Sequence, residues 1–522
     1  MMSRVASHLL AATAAVVFLA ACAAPKPITP APHVYVDGLD VTAMQSVFKH
    51  GMDEIKARAY DEQNMIELFK SAVSNLQKLD ASLSVTSEPD HVALRYNGAE
   101  TKVPVVYGDT VNLATGLLDT VLAMRKQSSA IKDADEEAVY KTVFPPMLAK
   151  IDVYSHYATR RDASLSRLLR DGVIGLGLEV VAVPAGAWVK AIVVDGPGAK
   201  AGVKSNDVIV KVNGINIARK RLADIRQMLD GSTDTLVHLE LRRLGQRASI
   251  QIDAKRDLIV PDTVTSTLNN GVVEMQVRSF NQRTGRAVSQ LVTDARKANG
   301  GTLKGLIIDL RGDPGGLLDQ AIEMADLFLD NGVIAVLKGR HPGAQQFYAA
   351  HRGDVADGAP IVILTDGRTA SAAEIAAAAL QDNGRAVVVG TESLGKGSVQ
   401  NLIGLPNGGE LSITWAHVTT PRGTLLHGLG VLPDVCVGGD AADAKTLSSQ
   451  TLASLEPSAE TRRGWTAAGL DETARRNLRA TCPAQANPER AADMDVARLL
   501  LRDPTLMAAL TTGRSAQLAV KP

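Results

Sequence analysis

Aromatic side chains are scarce, with Phe, Trp and Tyr together only 3% of the 522 residues. Any core must therefore be aliphatic, and the abundant Ala points to helices packed closely through small residues. The stacking platforms and basic stripes that hold nucleic acid are missing too, so no nucleic-acid partner is expected. An excess of one charge is also lacking: 56 Lys+Arg balance 56 Asp+Glu, which leaves no global attraction to a polyanion. Cysteine is almost absent, at three residues, and neither Cys-x-x-Cys nor His-Glu-x-x-His spacing occurs. That removes support for a zinc site, and no metal or other cofactor is expected. Beyond the first residues, no apolar run approaches the length of a membrane span.

What is present begins with that N-terminus. Arg4 precedes an apolar stretch, Leu9 to Ala21, that ends in Leu19-Ala20-Ala21-Cys22. A basic start, a short apolar run and small residues before a cut site read as a secretory signal peptide over 1–21. The Leu-Ala-Ala-Cys ending resembles a bacterial lipobox, in which Cys22 would be lipidated; the alternative is an ordinary signal peptide with a chance Cys. Residues 22–32, rich in Pro, would then form an extended tether. The expected location is the bacterial periplasm, with a lipid anchor in the outer or inner membrane. Ala23, where Asp commonly retains lipoproteins in the inner membrane, favours the outer. An oxidising compartment permits a Cys436–Cys482 disulfide, though two Cys that never meet would read the same.

A chain of this length, with 45% hydrophobic and 21% charged residues, divides into roughly two to four domains. Residues 33–160 read as mainly helical, from apolar periodicity over Met44–Leu79, Val111–Met124 and Glu136–Ile151, with a β-like interruption at Val85–Val106. Residues 165–256 change to short strands punctuated by Gly, Pro and Asn, with one amphipathic helix at Leu222–Leu229. From 258 to 440 the rhythm is strand–helix–strand: Leu303–Leu310, Leu317–Leu329, Val333–Leu337, Ile361–Thr365, Ala372–Gln381 and Ala386–Val389. That alternation predicts an α/β core within an α+β multidomain chain. Residues 441–522 are Ala-rich, charged and helical, either a cap on the core or a loosely attached tail.

Two short segments carry chemistry. In Thr369-Ala370-Ser371-Ala372-Ala373-Glu374 a strand turns into a helix. Ser371 suits an N-cap there, with Glu374 completing a capping box. The same place suits a nucleophile, because free N–H groups at a helix start stabilise negative charge on an attacked carbonyl. A serine hydroxyl needs a base. Gly395-Lys396-Gly397-Ser398-Val399-Gln400 could supply one if burial or positive potential lowers the lysine pKa from about 10.4. By itself Gly-Lys-Gly reads as a surface turn.

Together the segments resemble the carboxyl-terminal processing peptidases, or tail-specific proteases, in order and spacing. The resemblance implies Ser371 as nucleophile, Lys396 as general base and acid, and Gln400 as the group that positions the lysine. It implies an oxyanion hole from the Ala372 N–H and a second N–H in Arg311-Gly312-Asp313-Pro314-Gly315-Gly316, either Gly315 or Gly316. Asp313 stands where the family usually has Asn, and Ala373 where it commonly has Ser. Further similar motifs are Gln381-Asp382-Asn383-Gly384-Arg385, Thr420-Pro421-Arg422-Gly423 and Pro433-Asp434-Val435, so the likeness spans 105–437. The implied fold is a crotonase-like core with an inserted PDZ domain.

That inserted domain has its own signature. Ala201-Gly202-Val203-Lys204-Ser205-Asn206-Asp207-Val208-Ile209, followed by Val212-Asn213-Gly214, resembles a bacterial PDZ core, and Gly175-Leu176-Gly177-Leu178 falls where such domains hold a peptide carboxylate. The implied substrates are polypeptides with accessible C-termini, with a periplasmic adaptor or a second copy of the chain as further partners. The domain would recruit such substrates and gate the site. A PDZ-bearing scaffold that no longer cuts is the rival reading, and acyl-thioester chemistry on a crotonase-like core a third. Intact Ser371, Lys396 and Gln400 favour the enzyme, and a secretory signal disfavours the thioester.

Overall fold

In the computed structural model, residues 33–36, 38–193, 196–437, 457, 459–466, 471–486 and 491–511 are described. The signal sequence, Cys22 and the tether lie outside them. No helix among the described residues is long and apolar enough to cross a membrane, and none of their side-chain groups forms a metal-holding cluster.

The chain is an α/β multidomain protein. Its central sheet is ordered Val264–Asn269, Val272–Val277, Gly305–Asp309, Ile361–Thr365, Ala386–Gly390, Val435–Cys436, and every pairing after the first is parallel. Three of the parallel strands are buried at every residue, which is why they read as unbroken apolar runs. Helices Thr284–Ala298, Leu318–Asp326 and Ala372–Asp382 contribute to the core on one face. Val496, Ala497, Leu500, Met507 and Leu510, from helices Ala491–Arg502 and Pro504–Thr511, pack on the other face. The C-terminal segment, in its described parts, is thus a cap on the sheet.

A second sheet stands beside the first, ordered Gln346–Ala349, Val333–Lys338, Glu410–Thr419, Ser398–Gly404. Its long hairpin joins two regions. Ile403, Leu405, Leu411 and Ile413 enter the core of the helical N-terminal region, and His156–Ala158 pairs with Glu410–Ser412. The N-terminal region holds helices Val41–Arg58, Met65–Asn75, Thr110–Gln127 and Glu136–Leu148. The β-like interruption resolves into a three-stranded antiparallel sheet over 83–104.

Between these regions lies the PDZ domain, an antiparallel sheet ordered Ile250–Lys255, Leu236–Arg242, Val208–Val212, Gly186–Ile192, Leu178–Val183, with helix Leu222–Leu229 against it. A ribbon of Val173–Gly175 and Asp257–Ile259 ties its entering and leaving chains. Asn206, where a Gly is usual, has φ +71°, a left-handed conformation that Asn tolerates.

Candidate active site

Strand Ile361–Thr365 ends at a turn that leads into helix Ala372–Asp382. The buried Asp366 carboxylate shapes this turn by accepting the N–H groups of Arg368 and Thr369 at 3.0 Å each and of Gly312 at 2.9 Å. Ser371 follows at φ +55°, ψ −118°. A non-glycine residue in that region carries about 1–3 kcal/mol of strain, sustained only where neighbours fix it. So tight a strand-to-helix turn displays a side chain at the head of a helix. A simple N-cap needs no such backbone, since N-caps are usually extended.

Glu374 is the neighbour that fixes it. Fully buried, its carboxylate accepts the Ser371 N–H at 2.7 Å and, on the same oxygen, the Lys396 N–H at 2.9 Å. Its other oxygen accepts the Gly395 N–H at 2.7 Å and the Ser393 hydroxyl. Burial pushes the Glu374 pKa up, opposed by these hydrogen bonds. In sequence this residue was half of a capping box; in the fold it joins the Ser371 turn to the Lys396 loop.

The glycine turn reaches the same point. The Asp313 carbonyl accepts the Ala370 N–H at 2.9 Å. Gly315 has φ +93°, and a Cβ there would lie 2.6 Å from the Ala370 carbonyl oxygen and 2.8 Å from the Ala372 nitrogen and Ser371 Cβ. Only glycine fits so close. The two candidate donors in this turn differ. Gly315 donates its N–H to Asp313 Oδ1 at 2.7 Å. The Gly316 N–H makes no hydrogen bond among the described residues, and Ala372, as first residue of its helix, has no intrahelical acceptor. Asp313 itself is fully buried with Oδ2 unpartnered, and burial raises its pKa to about 8 against the pull of the Gly315 hydrogen bond.

Lys396 is half-buried, and burial lowers its pKa from the ordinary lysine value; Asp152 and Glu374 act in the opposite direction. Its Nζ lies 5.2 Å from the ring centroid of Tyr154. Tyr154 meets His427 edge-on at 6.0 Å, His427 stacks on His417 at 4.4 Å, and His417 stacks on Tyr60 at 4.1 Å. Burial drives His417 down to about 4 and lowers His427 as well, so the column is uncharged at neutral pH. No spacing in the sequence signals this wall, because Tyr60 and Tyr154 lie far in the chain from His417 and His427.

Gln400 lies on the strand that follows the lysine loop. Its Nε2 donates to Ser398 Oγ at 2.9 Å and Thr414 Oγ1 at 3.1 Å, and it forms no hydrogen bond to Lys396. The ladder shifts register between Val399 and Gln400, and the side chain is committed to its own hairpin. What fixes the lysine is Glu374, through the backbone. Nor does a hydrogen bond link the Ser371 hydroxyl to the Lys396 amine among the described residues; the two segments meet through that carboxylate.

In the PDZ domain, Gly175, Leu176, Gly177 and Leu178 line one side of a cavity of about 910 Å³, opposite Arg226 and Leu229 of its helix. Leu176 packs into the domain core, Gly177 has φ +71°, and Gly175 pairs with Asp257 in the connecting ribbon. Leu168 and Ile259, from the linking segments, complete the wall.

A serine at a strained turn, a buried lysine loop and an adjoining glycine turn on an α/β sheet define a serine hydrolase. Comparison with known proteins narrows the class. Peptidase family S41 matches residues 271–437, and a PDZ domain matches 188–243. A carboxy-terminal-processing protease of Bartonella bacilliformis is 35% identical over 318 residues, covering 60% of this chain and 73% of that protein. The carboxy-terminal processing protease CtpA of Bacillus subtilis is 31% identical, covering 59% and 66%. The solved photosystem II D1 C-terminal processing protease is 23% identical, covers 75% of this chain and 92% of its own, and superposes with a TM-score of 0.38. The chain belongs to the carboxy-terminal processing proteases of peptidase family S41, which are serine peptidases.

Proposed function

We propose that this protein is a bacterial envelope endopeptidase that selects polypeptides by their C-termini and cuts them with a Ser371/Lys396 dyad. The observation that carries the reading is the single Glu374 oxygen that accepts both the Ser371 and Lys396 N–H groups. In the reaction, neutral Lys396 takes the hydroxyl proton as Ser371 Oγ bonds to the peptide carbonyl carbon. The N–H groups of Gly316 and Ala372 stabilise the resulting oxyanion. Collapse breaks the C–N bond, and the leaving amine takes the proton from Lys396. Water then repeats the sequence on the acyl-enzyme, with Lys396 again as base.

The PDZ cavity supports selection by a free carboxylate, since a peptide added as a strand there ends at Gly175–Leu178. The make-up of that cavity also supports gating of the site by peptide. Leu168 and Ile259 place the linking segments in the cavity wall, where a bound peptide would touch them. The leader and Cys22 support a lipid-anchored periplasmic location.

The test uses mature protein and an unstructured polypeptide ending in apolar residues, with Ser371→Ala and Lys396→Ala in parallel. Cleavage by the parent and loss in both variants is expected; undiminished cleavage by Lys396→Ala overturns the dyad. A substrate ending in Asp residues is expected to be cut more slowly, and equal rates overturn C-terminal selection. Removal of residues 165–256 is expected to change turnover of the apolar-tailed substrate, and unchanged turnover overturns both recruitment and gating.

A further inference from the structure

Helix Glu472–Arg479 lies beyond the matched peptidase region, yet its last residue reaches the Lys396 loop. The Arg479 guanidinium donates from Nη1 to the Leu429 carbonyl at 2.8 Å and from Nη2 to the Ser393 carbonyl at 3.1 Å, and pairs with the Glu392 carboxylate at 3.0 Å. It lies so close to the loop that a Cβ on Gly395 would sit 2.8 Å from Nη1. Ser393 and Gly395 are themselves bound to Glu374, and the Gly395 carbonyl accepts the Gly428 N–H at 2.9 Å. One planar cation therefore spans the loops on both sides of the lysine, which suits a guanidinium and not an ammonium.

The segment is fastened at several points. Cys482, just past the helix, is disulfide-bonded to Cys436 on the last strand of the central sheet. Trp465 Nε1 donates to the Gly430 carbonyl at 3.1 Å. The Gln485 carbonyl accepts the Gly367 N–H at 2.9 Å, in the turn before Ser371. The C-terminal segment thus grips both catalytic segments.

We propose that Arg479, held by the Cys436–Cys482 bridge, is a positioning residue that keeps the Lys396 loop closed and dry for catalysis. The inference rests on Lys396 as the base. Asp152, Glu374, Tyr154 and His427 also face the lysine or its loop, from the turn before His156, the Ala372 helix and the His427 loop. Those groups are not bonded to Arg479, whereas Glu392, already raised to about 7 by burial, loses its partner and is pushed further toward the neutral form. The loop loosens, water reaches the amine, and the burial that keeps it deprotonated is relieved.

The experiment measures kcat, KM and the pH profile of kcat on the unstructured polypeptide for the full mature chain carrying Arg479→Met, Arg479→Lys or the double change Cys436→Ser/Cys482→Ser. Arg476→Met, on an exposed position of the same helix, is the control. Arg479→Met is expected to lower kcat about 30-fold or more, leave KM within about 2-fold, and move the acid limb to higher pH. Arg479→Lys is expected to fall between it and the parent, and the double Ser variant to follow Arg479→Met. Parental kcat and pH profile in Arg479→Met overturn the inference; should that variant not fold, the same result in Arg479→Lys does so. Lys396→Ala run alongside separates the two readings. If it remains active, the dyad itself fails; if it is dead while Arg479 variants are normal, only the positioning role fails.

Discussion

Asp313→Asn should stabilise the protein, and by an amount that depends on pH. The side chain is fully buried, Oδ1 accepts the Gly315 N–H at 2.7 Å, and Oδ2 has no partner. Asn keeps the acceptor and the shape. What it removes is a buried group whose pKa is raised by burial from 3.8 to about 8. Below about pH 4 both folded and unfolded chains hold the proton, so Asp and Asn differ little. Between about 4 and 8 the unfolded chain releases it and the folded chain does not, which favours unfolding by up to about 1.4 kcal/mol per pH unit. Above about 8 the folded chain ionises too, and the difference levels off at on the order of 5 kcal/mol. Glu374 and Glu392, the latter raised to about 7, also titrate, but identically in both proteins. Urea unfolding between pH 4 and 9, followed by tryptophan fluorescence, to which Trp415 against the peptidase core contributes, gives the difference. Activity supplies a second readout: a carboxylate beside the Gly315–Gly316 turn opposes an oxyanion, so the parent should lose kcat above about pH 8 and Asp313→Asn should not. A stability difference independent of pH would refute the reasoning.

Three other outcomes follow from the same geometry. Because burial lowers the Lys396 pKa and only the neutral amine accepts a proton, the acid limb of kcat should lie below the ordinary lysine range, and in Asp313→Asn it should lead to a plateau. Lys396→Arg, permanently charged, should lose about 10²–10⁴-fold in kcat where the parent is most active and progressively less toward acid pH, as a stopped-assay pH series would show. Glu374→Ala strips the acceptor from the N–H groups of Ser371, Gly395 and Lys396; at about 1–3 kcal/mol per orphaned buried donor, it should lower Tm markedly by calorimetry and abolish cleavage. Gly315→Ala places a methyl 2.6 Å from the Ala370 oxygen at φ +93°, and peptide hydrolysis should fall more than 10-fold while PDZ-peptide binding, read by fluorescence polarisation, is unchanged.

Much of the fold was legible because its signals are local. The strand Ile361–Thr365 and the helix from Ala372 announce themselves as an apolar run and a capped, Ala-rich stretch, and their observed bounds nearly coincide with the expected ones. The hairpin Ser398–Thr419 was not legible. Its residues divide between two cores, so its apolar pattern follows neither a single face nor a single period.

The chemistry divides along the same line. From residue order alone came the strand-to-helix serine, the glycine-flanked lysine, the glycine turn, the PDZ signature and the protease family, because each is a short run of residues whose types and spacing are sufficient. The tertiary structure decided how they meet. It made Glu374 the joint between the Ser371 turn and the Lys396 loop, tied the Gly315 N–H to Asp313, and turned Gln400 into its own hairpin. It also walled the lysine with Tyr154 and the histidine stack, and brought Arg479 to its loop. The reason is physical: a hydrogen bond between residues far apart in the chain is set by how sheets and helices pack, and packing leaves no local trace in the order of side chains.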